Sequence, residues 1–90
     1  MKRVIPAHIR RITKYELARV ISMRALQLSL GAPPLIDVES LDRKDPYYIA
    51  IKEIERKVLP VVIKRKLPSG EEYLFSLRDL EIDLSGLDHA

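Results

Sequence analysis

The sequence predicts a small single domain of the α+β class: two main helices and a C-terminal β-hairpin, between a flexible N-terminal arm and a C-terminal tail. Three observations predict it. The tetrad Thr13-Lys14-Tyr15-Glu16 is a capping box, and the apolar periodicity after it stops at Gly31 and Pro33-Pro34. Asp45-Pro46 opens a second periodic run. Two segments rich in β-branched and aromatic residues flank Leu67-Pro68-Ser69-Gly70, which is turn chemistry. The implied organisation is an arm at 1–12, one domain at 13–80 and an acidic tail at 81–90.

The arm mixes Pro6 with bulky apolar and basic residues and shows no period. In the first helix the Thr13 hydroxyl is expected to accept from the Glu16 amide, and the Glu16 carboxylate to accept from the Thr13 amide. At about 100° per residue the helix carries two apolar stripes. Leu17, Ala18, Ile21, Ala25 and Leu28 form one; Tyr15, Met23, Leu26 and Leu30 form the other, with Arg19 inside it. One stripe suffices for a surface helix packed on its own domain. Two imply that the helix is covered twice, the second time by another protein.

Leu35-Ile36-Asp37-Val38 is expected to be briefly extended, and 39–44 to be a polar loop. In the second helix Asp45 is the N-cap and Pro46 the first helical residue. Tyr47, Ala50, Ile51, Ile54 and Val58 form one narrow stripe, with Tyr48 and Ile49 off it and Pro60 as the stop. Residues 61–66 and 72–75 are the strands of the hairpin, which needs a packing partner because a lone hairpin is marginal. Ser76-Leu77-Arg78-Asp79 offers one final short turn.

Composition narrows the function. A chain of 90 residues buries only about 60% of its unfolded surface or slightly more, so its core is thin. Such chains draw on disulfides, metals or partners. There is no cysteine, and the two histidines, His8 and His89, lie near opposite ends in no ligand spacing. No metal or cofactor is expected, which leaves a partner. No apolar run approaches the roughly 18 residues of a membrane span, and the basic N-terminus lacks the apolar core of a signal peptide. The expectation is a soluble cytoplasmic protein with no membrane contact. The net charge of +3 is unevenly laid out: residues 1–24 hold seven cations against Glu16, whereas 71–90 hold six carboxylates against Arg78. Such ends suit charged partners or each other.

No phosphate-cradling, dinucleotide, zinc-protease or calcium-loop pattern is present. A catalytic triad would have to use His8 or His89, and neither end is expected to hold a general base in place. Glu53/Glu55 and Glu71/Glu72 are expected on the surface, where carboxylates stay unperturbed. No catalytic residue and no small-molecule substrate are predicted. Two readings stay open for Arg19 and Arg24: a stem lying over the apolar stripe with its head in water, or a buried fork onto a partner's carboxylate or carbonyl. Gln27 is either plain surface or a donor to partner backbone. Tyr15 is either core or an interface anchor. Lys64-Arg65-Lys66 invites a nucleic-acid reading, but strand alternation splits it between two faces and no aromatics interleave it. A solvated edge strand guarded by charge is the alternative.

The run from Thr13 to Pro33 resembles the signature helix of the archaeal RNA polymerase subunit K family, to which the shared small subunit of eukaryotic nuclear polymerases and, more remotely, bacterial omega belong. Leu35-Ile36-Asp37-Val38, Asp45-Pro46 with Ile49-Ala50, Leu59-Pro60-Val61-Val62-Ile63-Lys64-Arg65 and Leu67-Pro68-Ser69-Gly70 follow in that family's order, covering residues 13–80. The resemblance implies a subunit without an active site that clamps the largest polymerase subunit, aids assembly and meets DNA through the complex. It places Tyr15, Glu16, Arg19, Arg24, Ala25 and Gln27 where family members face the large subunit or fix the helix. With Met23, Leu26 and Leu30 of the second stripe, these are the expected interface residues. A free-standing nucleic-acid-binding module using the basic N-terminal region is the alternative. The short basic head and the tail depart from the family pattern.

Overall fold

A computed structural model describes residues 10–84. Helix α1 (Lys14–Ser29) and helix α2 (Pro46–Glu55) pack on each other, and strands β1 (Val62–Lys66) and β2 (Glu72–Ser76) form the predicted antiparallel hairpin. Short 3₁₀ turns occupy Val38–Ser40 and Leu77–Asp79. The segment expected to be extended after Pro34 is therefore partly a turn, in which the Asp37 side chain accepts from the Glu39 amide at 3.1 Å.

Both helices start as their caps dictate. Thr13 and Glu16 close the capping box, at 3.0 Å from the Glu16 amide to the Thr13 hydroxyl and 2.9 Å from the Thr13 amide to the Glu16 carboxylate. Asp45 accepts from the Tyr48 amide at 3.1 Å with Pro46 behind it. Both helices also end alike. At α1 the Ala32 amide bonds the Gln27 carbonyl and the Gly31 amide bonds that of Leu28, with Gly31 at φ +103°. At α2 the Val58 amide bonds the Glu53 carbonyl and the Lys57 amide bonds that of Ile54, with Lys57 at φ +58°. Each is a Schellman motif, which needs one left-handed residue. Helix α2 thus stops at Glu55, well before Pro60, and Val58 leaves the stripe assigned to it.

The hairpin register pairs Val62 with Ser76, Lys64 with Leu74 and Lys66 with Glu72. Its connection is a turn with Pro68 and Ser69 at the centre and Gly70 at φ +94°; the Gly70 amide bonds the Leu67 carbonyl and the Leu67 amide that of Glu71. Proline suits the first central position and glycine the left-handed residue that follows.

Leu17, Val20 and Ile21 of α1 meet Ala50, Ile51 and Ile54 of α2 in the core, which Leu59, Ile63, Phe75, Leu77 and Leu80 complete. Ala18 is exposed, so the buried arc of α1 is rotated toward Val20. Helix α2 is buried more widely than its stripe suggested. Ile49, read as off the stripe, and Glu53, read as a surface carboxylate, are both buried, because α1 covers α2 along its length and the loop at 33–35 reaches Glu53.

The domain also extends past its expected bounds. Ile12 is a core residue, and residues 10–12 run beside Glu81 in a parallel bridge: the Ile12 amide bonds the Glu81 carbonyl at 3.0 Å and the Glu81 amide that of Arg10 at 2.9 Å. Ile82 and Leu84 pack on the core. The rest of the expected arm and tail, 1–9 and 85–90, lies outside the described residues. Among the described residues no helix is long and apolar enough to cross a membrane.

Ile54 is 1% exposed at the helix contact. Ile54→Ala is expected to cost about 2–5 kcal/mol in urea unfolding of the isolated chain, from lost burial plus the cavity left behind. Gly31→Ala, whose added methyl meets nothing within 4 Å, should cost only the left-handed strain, about 1 kcal/mol.

Candidate protein-interaction face

Helix α1 turns two chemically different sides to its surroundings. On the inner side Arg24 forks onto Glu53: Nε donates to Oε1 at 2.6 Å and Nη2 to Oε2 at 3.0 Å. Nη2 also donates to the Pro33 carbonyl at 3.0 Å, and Nη1 to the Gln27 side-chain oxygen at 3.2 Å. The Leu35 amide donates to Glu53 Oε2 at 2.8 Å. The Glu53 side chain is 0% exposed and that of Arg24 8%. Charges this deep persist only when forked and hydrogen-bonded, as these are. The hydrogen bond from Glu53 holds the Arg24 guanidinium above its already high pKa, against the opposing effect of burial.

A second pair sits at the start of α1. Arg65 of β1 donates to Glu16 through Nε at 2.8 Å and Nη2 at 2.7 Å, while Nη2 also donates to the Arg11 carbonyl at 2.7 Å. The Arg65 guanidinium lies 5.2 Å from the centroid of the Phe75 ring, a cation–π contact. The side-chain hydrogen bond from Arg65 lowers the Glu16 pKa below the carboxylate norm, overcoming partial burial. Glu16 therefore closes the capping box and anchors the hairpin at once.

The outer side of α1 is open. Tyr15 is 78% exposed, Leu26 60%, Leu30 80% and Met23 43%, with Arg19 and Gln27 exposed among them. Beside this face run two clefts that share Met23 and Val61. One, of about 470 Å³, is walled by Arg24, Gln27, Pro33, Leu35, Leu59 and Pro60; the other, of about 290 Å³, by Arg19, Val20 and strand β1. Among the described residues no group of three or more metal-capable side chains comes together. The arrangement presents apolar side chains beside a cleft, with Arg19 among them holding no carboxylate within the described residues, which suits binding a protein chain.

The sequence model of the RNA polymerase Rpb6 family matches residues 10–61, more than half of the chain. The chain belongs to the RNA polymerase Rpb6 family. It is similar to a DNA-directed RNA polymerase subunit Rpo6 of Saccharolobus solfataricus, 56% identical over 68 residues, 76% of this chain and 72% of the relative. The Sulfolobus acidocaldarius subunit of that name is 52% identical over 71 residues, 79% of this chain and 80% of the relative. The Aeropyrum pernix one is 49% identical over 69 residues, 77% and 78%. As an Rpb6-family member the chain is a non-catalytic component of a multi-subunit RNA polymerase.

The nine residues singled out in the sequence divide by environment. Tyr15, Arg19, Met23, Leu26, Gln27 and Leu30 lie on the open side. Arg24 and Glu16 are engaged within the chain, and Ala25 is half-buried against the core. The fork considered for Arg24 exists, but its carboxylate is this chain's own Glu53. Sequence reasoning missed Glu53 and Arg65. The available signals were an acid between Ala50 and Ile54 on the apolar arc of α2, and strand alternation, which puts Arg65 on the inward face with Ile63.

Two outcomes check these pairs. Arg24→Ala is expected to cost about 3–5 kcal/mol in the isolated chain, because it leaves the Glu53 carboxylate buried without its counter-charge; replacing both residues by apolar ones of similar volume should cost far less. Glu16 has a lowered folded-state pKa, so its stabilising contribution is complete above its unfolded value of about 4.5 and is lost as pH falls through the folded value. Glu16→Gln should therefore flatten the acid side of a plot of urea midpoint against pH.

Proposed function

We propose that this chain is the clamping and assembly subunit of an archaeal, cytoplasmic DNA-directed RNA polymerase. It holds the largest subunit through the outer side of α1, using Tyr15, Arg19, Met23, Leu26, Gln27 and Leu30, while Glu16, Arg24 and Ala25 fix the helix beneath. It reaches DNA only through the complex. The observation that carries this reading is the exposure of four large apolar side chains on one side of a helix whose other side is already full. A run of exposed apolar surface of this kind marks an interaction site. Kinship with subunits named Rpo6 supplies the kind of partner.

The role is thermodynamic. A ligand that binds only the folded large chain stabilises it by mass action. Bridging two of its segments also lowers the entropy cost of keeping them together. An obligate contact on the order of 2,000 Å² would take up both the face and the adjoining clefts. Direct nucleic-acid binding is less well supported. Arg11, Lys64 and Arg65 lie against Glu81, Glu72 and Glu16, so part of the basic surface is neutralised within the chain.

Leu26→Asp and Arg19→Ala, both at exposed positions, are expected to leave the isolated chain within about 0.5 kcal/mol of the parent. Leu26→Asp should weaken retention in a polymerase reconstituted from its separate chains by 2 kcal/mol or more, roughly a thirtyfold loss. Co-purification of the Leu26→Asp chain at parental level would overturn the assigned face.

A further inference from the structure

Strand β1 has an unpaired edge beside the smaller cleft. The Leu77 amide bonds the Val61 carbonyl and the Leu67 amide bonds that of Glu71, so residues 61, 63, 65 and 67 turn their main-chain groups toward β2. In an antiparallel pair the intervening residues point theirs the other way. The amides and carbonyls of Val62, Lys64 and Lys66 therefore face outward from a sheet that, among the described residues, has two strands. The cleft next to this edge is floored by Val20, Met23 and Val61. The charged residues that line it are Arg19, Lys64 and Glu16: Arg19 has no carboxylate partner among the described residues, Lys64 holds the exposed Glu72 at 3.3 Å, and the Glu16 carboxylate is taken by Arg65. Lys66, also without a carboxylate partner among the described residues, follows Lys64 on the same face of β1.

We infer that β1 takes up an extended, acidic segment of the polymerase's large chain as a third strand. The inference rests on the assembly role proposed above and adds the mode of contact: main-chain hydrogen bonds to Val62, Lys64 and Lys66, apolar side chains of the incoming strand in the cleft, and its carboxylates against Arg19 and Lys66. Edge pairing supplies affinity from the backbone, and pockets for alternate side chains supply selectivity. Lysines on an edge strand also occur simply to prevent self-association. A guard function gives no reason for an apolar-floored channel alongside the edge or for a solitary arginine across it.

Hydrogen exchange resolved to single amides tests this on the full chain, free and in the reconstituted polymerase. Ile63 and Arg65, bonded to β2, should be protected in both states. Val62, Lys64 and Lys66 should exchange freely in the isolated chain and slow by about tenfold or more on assembly, as expected for gaining a hydrogen bond. Lys64→Pro removes the outward amide together with the side chain, and Lys64→Ala the side chain alone; the first should lower retention about tenfold and the second should not. The Arg19→Glu, Lys66→Glu double variant should be released at low salt. Retention of the subunit with the three edge amides still exchanging freely would overturn this inference alone. A wild-type chain that fails to join the polymerase would overturn the assembly reading as well.

Discussion

The buried ion pair between Arg24 and Glu53 is the constraint on which the arrangement depends. It joins the middle of α1, the second half of α2 and the loop at 33–35 through four hydrogen bonds made by two side chains. Burying both charges is costly, and an apolar pair of equal volume would be at least as stabilising. The return lies in direction. A guanidinium fork tolerates little rotation, so α1 can roll neither its apolar arc away from α2 nor its open side into the loop. Among the described residues no buried side-chain nitrogen or oxygen lacks a partner, as a low-dielectric interior requires.

The Glu16–Arg65 pair does the same at the other end of the helix. One carboxylate serves the helix start and the hairpin, and the arginine opposite it reaches back to the Arg11 carbonyl. A two-stranded sheet has little stability of its own, so its position on α1 depends on Ile63 and Phe75 in the core and on this fork. Between them the two pairs hold the inner side of α1 rigidly. The open side is then presented in a set orientation, and a partner binding there need not spend its affinity on ordering the helix.

Local chemistry was readable in the sequence wherever one residue type serves one purpose. Thr13 with Glu16, Asp45 with Pro46, and Pro68 with Gly70 each announced their element. The end of α1 was visible because its left-handed residue is Gly31. The end of α2 was not, because the same motif is built with Lys57 and nothing in that residue type signals positive φ. Glu53 and Arg65 were hidden for another reason. Charged residues default to water, and only the juxtaposition of two helices, or of helix and hairpin, shows that each has a counter-charge waiting. The same holds for Ile12, whose place in the core depends on a pairing with Glu81 across nearly the whole chain. Of the candidate face, the open apolar side was legible from two stripes on one helix and the edge strand from the charges of Lys64-Arg65-Lys66; the cleft between them was not, since it arises between elements.

That pairing of residues 10–12 with Glu81 has a kinetic consequence. It closes the longest loop in the described structure, and closure entropy grows with loop length. Two main-chain hydrogen bonds and an exposed ion pair at 3.8 Å oppose that entropy, helped by Ile12. The clasp is thus poised to form after the helices have docked and to fray before they separate. Fraying there would take Ile12 out of the core and release the Arg11 carbonyl from Arg65, slackening the hairpin's hold on α1 while the helix pair stays shut.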